Sequence, residues 1–222
     1  MTITLQSATS LTFAGSDPAA QNLTVPADCK AVVVFITGYA GAGFEVSTLT
    51  LAGDAPDNSA SFTGTNVITG AYVAVWFDPA AGTNALDPAF NAIPTEGPLC
   101  QIAYITADGS LEFVDADCNA REGTDTASAT STSATDDYAI AHAQNFGSTP
   151  THNGTDVSGA SQENAEEFGQ LFTLTAGAST TTATSESFYS SVALIILREG
   201  AAPEEEAAAP QGTGLFSLGF GL

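Results

Sequence analysis

The stretch AVVVFITGY, residues 31–39, decides how this chain is read. Apolar residues run without interruption from Ala31 to Ile36. A strand with one wet face alternates polar and apolar residues, whereas an unbroken run points to a strand buried on both faces. Such a strand needs neighbours, and the flanking sequence supplies them. EVSTLTL (45–51) is closed by Ala52-Gly53-Asp54, and AYVAVWF (71–77) is stopped by Asp78-Pro79. Upstream, Thr2–Gln6 and Leu11–Ala14 are short strand candidates. Gly38, Gly41 and Gly43 end the central run, and Asp87-Pro88 and residues 94–98 punctuate loops.

Further on, LCQIAYITA and LEFVDA flank Asp108-Gly109-Ser110, and Asp-Gly is a strong hairpin signal. In that register Cys100 opposes Cys118, Ile102 opposes Ala116 and Tyr104 opposes Val114, all on one face. Either the two cysteines bridge across the strands or they are two small buried residues. A reducing cytosol would keep the bridge open, and Cys29 is left over in both cases. Residues 124–137 hold eight Ser or Thr in fourteen. A linker is one reading, and a Thr-rich edge strand is the preferred one. DYAIAHAQ (137–144) alternates, with Tyr138, Ile140 and His142 on one face and alanines on the other. Phe146–Glu163 reads as a long polar loop. Phe168–Thr175 and Phe188–Leu197 read as the last core strands. No internal repeat of fixed period emerges. About ten strands and no helical periodicity imply an all-β, antiparallel β-sandwich of the jelly-roll type over residues 1–200, with an immunoglobulin-like sandwich second.

Beyond Arg198 the character changes. AAPEEEAAAP (201–210) reads as a spacer, and QGTGLFSLGFGL (211–222) is an uncharged, Gly-rich arm carrying Leu215, Phe216, Leu218, Phe220 and Leu222. An apolar segment outside the strand pattern is read as an assembly arm that orders on a neighbouring subunit.

Charge narrows the partners. The 222 residues include 3 Lys+Arg and 25 Asp+Glu, a formal net charge of −22. Nucleic-acid binding needs a cationic footprint, and so does docking on an anionic membrane; three scattered cations make neither. At 44% hydrophobic and 13% charged, the chain has the material for a core. No cationic, apolar leader opens the sequence, and no apolar run approaches the ~18 residues of a membrane span. Synthesis in the cytoplasm is therefore expected.

Reactive motifs are sparse. Asp115-x-Asp117-x-Asn119 opens like a calcium loop, but Ala120 stands at the glycine position and Thr126 at the twelfth. Solvated surface acids are the simpler reading, with a calcium site of another kind as the alternative. His142 and His152 lack any metal-ligand spacing; His142 is expected in the core and His152 exposed. GxSxG and GK[ST] are absent, and nothing singles out an acid/base pair among so many carboxylates. Trp76 and Tyr72 share a face, where core packing outweighs a sugar platform. No cofactor is implied, and the chain reads as non-enzymatic.

The succession AVVVFITGY (31–39), VSTLTLAG (46–53), AYVAVWF (71–77) and SVALIILRE (191–199) resembles β-sandwich modules of tailed-phage and gene-transfer-agent-like structural proteins. The resemblance spans roughly residues 10–200. It implies a structural role on a virion, with other virion proteins as partners and no catalytic residues to carry over. The expectation is a homo-oligomeric fibre, spike or capsid-decoration subunit that reaches the virion without a signal peptide. The alternative is a carbohydrate- or receptor-binding module at a tail tip or cell surface, with the Phe146–Glu163 loop touching a host glycan.

So many unpaired carboxylates repel one another, and salt screens that repulsion. The melting temperature is expected to rise with NaCl from low salt to about 1 M, where screening reaches only ~3 Å. A melting curve that ignores salt would remove the reading of a protein suited to saline water.

Overall fold

A computed structural model of the protein describes residues 2–200 apart from 41–42, 64–68, 93–96, 122–125, 165–166 and 187–188. The spacer and the arm residues Leu215, Phe216, Leu218, Phe220 and Leu222 thus lie outside the described residues. The described chain is all-β and antiparallel, and no helix occurs among the described residues. The first eight strands are β1 (Ile3–Thr12), β2 (Gln21–Val25), β3 (Ala31–Tyr39), β4 (Val46–Leu51), β5 (Asn58–Thr63), β6 (Thr69–Phe77), β7 (Gly82–Phe90) and β8 (Leu99–Ala107). The next eight are β9 (Leu111–Arg121), β10 (Ala127–Thr132), β11 (Tyr138–Phe146), β12 (Thr151–His152), β13 (Thr155–Asn164), β14 (Glu167–Thr175), β15 (Thr180–Glu186) and β16 (Ser190–Glu199).

Residues 1–200 hold two sandwiches where the sequence suggests one. The first pairs a five-stranded sheet, β1-β8-β3-β6-β5, with a three-stranded sheet, β2-β7-β4. The second pairs β9-β16-β11-β14-β13 with β10-β15-β12. Adding eight to each strand number of the first yields the second. The strand orders 1-8-3-6 and 2-7-4 are those of a jelly roll, with the fifth strand carried on the larger sheet.

The repeat extends to register. β3 pairs with β6 over all of Ala31–Tyr39 and with β8 over Ala31–Thr37. In the same way β11 pairs with β14 over Tyr138–Phe146 and with β16 over Tyr138–Gln144. The β1–β8 ladder slips between Leu5 and Ser7, after three pairs. The β9–β16 ladder slips between Phe113 and Asp115, again after three pairs. Equivalent residues meet across the molecule: the rings of Phe35 and His142 are 6.2 Å apart, and those of Tyr39 and Phe146 are 5.4 Å apart. Two such contacts along one strand pair define an approximate two-fold axis running between β3 and β11. The repeat escapes sequence inspection because strand positions set only polarity and size, and aligned residues such as Phe35 and His142 differ in both.

The two larger sheets face each other, giving four layers and three apolar interfaces. Val32, Val34 and Ile36 of β3 face the smaller sheet with Leu23, Leu49 and Leu86. Ala31, Val33 and Phe35 face the other sandwich with Ile140, Leu171, Ile195 and Leu197. This explains the unbroken apolar run: both faces of β3 are interior, as expected. The faces of β11 are also as expected, with Tyr138 and Ile140 toward the central layer and Ala139, Ala141 and Ala143 toward β10 and β15. Alanines line this last layer on both sides.

The expected hairpin across Asp108-Gly109-Ser110 does not form. β8 pairs with β1 and β3, while β9 pairs with β16, so the turn passes from one sandwich to the other. Sequence adjacency favours a hairpin, but β8 takes two partners and β9 one inside their own sheets. Thr2–Gln6 and Leu11–Ala14 merge into β1, and most of Phe146–Glu163 folds as β12 and β13 instead of a loop. Asp87-Pro88 lies within β7; β2 pairs only as far as Leu86, so the strand has a free edge where Pro88 sits. Gly38 also belongs to its strand. A Cβ there would sit 3.0 Å from the Phe44 ring, and one at Gly70 would sit 2.2 Å from the Phe44 carbonyl oxygen. The two glycines make room for buried Phe44. The Thr-rich segment forms β10, an edge strand as preferred, whose outward Ser128, Thr130 and Thr132 oppose Thr184, Thr182 and Thr180. The Thr130 and Thr182 hydroxyls hydrogen-bond at 2.8 Å.

Ile140 is fully buried in the central layer. Ile140→Ala is expected to cost about 2–5 kcal/mol, the range for a cavity of that size. Urea unfolding followed by circular dichroism measures it; a loss near zero would mean that this layer does not hold the two sandwiches together.

Candidate functional site

The three cysteines are free thiols, all buried. Cys100 points into the first sandwich and Cys118 into the layer between the sandwiches, so no bridge joins them. The correction follows from the missing hairpin. Burial pushes both thiols upward from their ordinary pKa, which leaves them un-ionised at neutral pH.

The Asp115/Asp117/Asn119 motif lies on β9, not on a loop, and it performs structural work. Asp115 Oδ2 accepts the Thr132 amide at 2.7 Å, and Asp117 Oδ2 accepts the Thr130 amide at 2.8 Å. Asn119 Nδ2 donates to the Ser128 carbonyl at 2.6 Å. The other oxygen of each Asp accepts the next residue's amide, at 2.9 Å in both cases. Alternation on a strand sends these side chains to one side, where they satisfy the open edge of β10 and tie the two sheets together.

His152 is not exposed as expected. It stacks on Phe172, with ring centroids 4.1 Å apart, and its Nε2 pairs with Asp156 Oδ1 at 2.8 Å. Trp76 packs in the core, 4% exposed, and its indole N–H donates to the Asp54 carbonyl. His142 is fully buried, as expected. It belongs to a polar band in the central layer with Thr37, Thr69, Gln101 and Gln144, all buried. Gln101 donates to the Ala160 carbonyl, and Ser191 donates to Gln144, each at 2.8 Å. Neither ring nitrogen of His142 has a partner among the described residues. Beyond this band Tyr39, Phe146 and Tyr189 close that end of the seam with three mutually packed rings.

The other end of the seam opens into a cleft of about 750 Å³. Its walls come from both sandwiches. Thr2 and Ile3 lead into β1, Asp136 and Asp137 sit in the turn before β11, Tyr138 begins β11, and Arg198 and Glu199 end β16. Arg198 Nε donates to Asp137 Oδ1 at 2.6 Å, and Nη2 donates to Oδ2 at 2.9 Å. The Asp137 side chain is 1% exposed, and Oδ2 also accepts the Ala134 amide at 2.6 Å. Hydrogen bonding to Arg198 holds the Asp137 carboxyl below its ordinary range. Burial pushes the Tyr138 hydroxyl up to about 12. Glu199 lines the cleft, and its Oε2 has no partner among the described residues.

Sequence reasoning missed this cleft. Asp137 and Arg198 are 61 residues apart, and no spacing rule connects them. The one signal was rarity: an arginine ending a core strand in a chain with three cations is placed there against the general charge. Among the described residues no cluster of three or more His, Cys, Asp or Glu side chains could hold a metal ion. No protein-family model, curated protein or solved structure matches the chain.

Burial lowers His142 to about 3, against about 6.5 in an unfolded chain. Between these values the unfolded chain binds a proton that the folded protein refuses, so stability falls as pH drops from 6.5 toward 3. His142→Phe installs the residue of the equivalent position in the first sandwich. The stability gap between this variant and the parent is expected to widen in the variant's favour by up to about 1.4 kcal/mol per pH unit across that window. Parallel urea titrations at stepped pH measure the gap, and a constant gap would contradict a buried neutral His142.

Proposed function

We propose that this is a non-enzymatic structural protein of the exterior of a tailed phage-like particle, a fibre, spike or capsid-decoration subunit, that assembles through its C-terminal arm. The observation that carries this reading is the anchoring of Gly200, which the spacer and the apolar segment follow in the sequence. The Gly200 amide donates to the Ser110 carbonyl at 2.8 Å, which ties the end of β16 to the turn between the two sandwiches. An acidic spacer succeeds Gly200 in the sequence, and after it comes a segment with five large apolar side chains. An apolar segment of this kind in water favours a partner that covers it. The two jelly rolls provide a body with a buried core of its own, and the negative charge gives it solubility and mutual repulsion away from the arm.

Deleting residues 203–222 removes none of the sixteen described strands. The full chain is expected to form oligomers in light scattering coupled to gel filtration, and the shortened chain to elute as a folded monomer. A monomeric full chain, or a shortened chain that assembles equally well, would remove the arm from the mechanism of assembly.

A further inference from the structure

The duplication supplies an internal control for the cleft. Register makes Ala31 the counterpart of Tyr138, and Ile105 the counterpart of Leu197. Asp136, Asp137, Arg198 and Glu199 therefore correspond to Cys29, Lys30, Thr106 and Ala107 of the first sandwich. That sandwich builds the same sheets without these four residues. Lys30 there donates its amide to the Ile105 carbonyl and forms only an exposed pair with Asp78 at 3.3 Å. The fold does not require an Asp–Arg fork, a tyrosine or a glutamate at these strand ends. Their presence in the second copy alone needs another reason.

The chemistry of the cleft narrows that reason. Arg198 is held in one orientation by the bidentate bond to Asp137, which is itself fixed by the Ala134 amide. This is a positioned donor backed by a supporting shell, the arrangement that binding sites use. Nη1 takes no part in that fork and remains a donor. The lining brings carboxylate acceptors with Asp136 and Glu199, and hydroxyls with Thr2 and Tyr138. An anion entering the cleft meets Asp136 and Glu199, and a cation meets Arg198. A ligand whose groups both donate and accept satisfies both sets, and hydroxyls do so. The volume lies in the range of small-molecule sites.

We infer that the cleft between the two sandwiches, lined by Thr2, Asp136, Tyr138, Arg198 and Glu199, binds a neutral saccharide. The inference rests on none of residues 201–222, so it stands or falls independently of assembly through residues 211–222.

The test uses the full chain. A panel of neutral mono- and disaccharides at millimolar concentration is screened by saturation-transfer NMR, and a hit is titrated by calorimetry. At least one saccharide is expected to bind saturably. Asp136→Ala and Arg198→Lys are each expected to weaken it about tenfold, the usual loss for one hydrogen bond to a charged group. Thr106→Ala, at the matching position of the first sandwich, is expected to leave binding unchanged. Asp136 is exposed on its turn, so its variant keeps the test valid if Arg198→Lys lowers the melting temperature. No saturable saccharide, binding that survives Asp136→Ala, or a cleft that takes only calcium or spermidine would each overturn the inference.

Discussion

The structure depends on one apolar layer: the face-to-face packing of the two five-stranded sheets. Each sheet has a second face covered by its own three-stranded partner, so β3, β6, β8, β11 and β16 are interior on both sides. Removing water from both faces of the same strands gives burial that neither sandwich has alone, and apolar area is the dominant favourable term in folding. The layer also fixes the symmetry. Phe35 meets His142 and Tyr39 meets Phe146 because equivalent strands lie against each other along one axis.

A duplicated fold separates what the architecture demands from what a position adds. Both copies keep the strand order, the ladder lengths of the central strands and the slip in the first ladder. They differ where the fold is indifferent. Phe35 in one copy is His142 in the other, which buries an imidazole without a partner among the described residues, at a cost in stability that grows as pH falls. Ser7 and Thr9 in one copy correspond to Asp115 and Asp117 in the other, where carboxylates bond across to the edge of β10. Lys30 and Thr106 correspond to Asp137 and Arg198, where a fixed ion pair shapes one wall of the seam cleft. The second copy thus concentrates the polar chemistry, and it is also the copy that residues 201–222 follow in the sequence.

Much of this was legible in sequence where periodicity carries the signal. AVVVFITGY announced a strand interior on both faces, and DYAIAHAQ announced alanines on one face and larger side chains on the other. The Thr-rich stretch read correctly as an edge strand, because β-branched side chains suit a pleated surface. The signal failed where pairing is chosen by competition. LCQIAYITA and LEFVDADCNA are ideal neighbours across Asp108-Gly109-Ser110, yet each takes partners from its own sandwich. Cys100 and Cys118 were drawn together only by that hairpin, and they separate with it. The Asp115/Asp117/Asn119 spacing resembled a metal loop because alternate acids look the same on a loop and on a strand. The cleft was invisible because its members come from three distant segments.

By itself the sequence determined the class of the fold, the strands with two dry faces, the scarcity of cations and the change of character after Arg198. These are properties of local composition and period, which a chain displays before it folds. The tertiary structure decided which strands pair, that there are two sandwiches instead of one, that the cysteines remain apart, and that Asp137 and Arg198 meet beside Tyr138 and Glu199. Those depend on contacts between residues far apart in the chain, and such contacts are selected by the total burial of the four layers, which no single segment reveals.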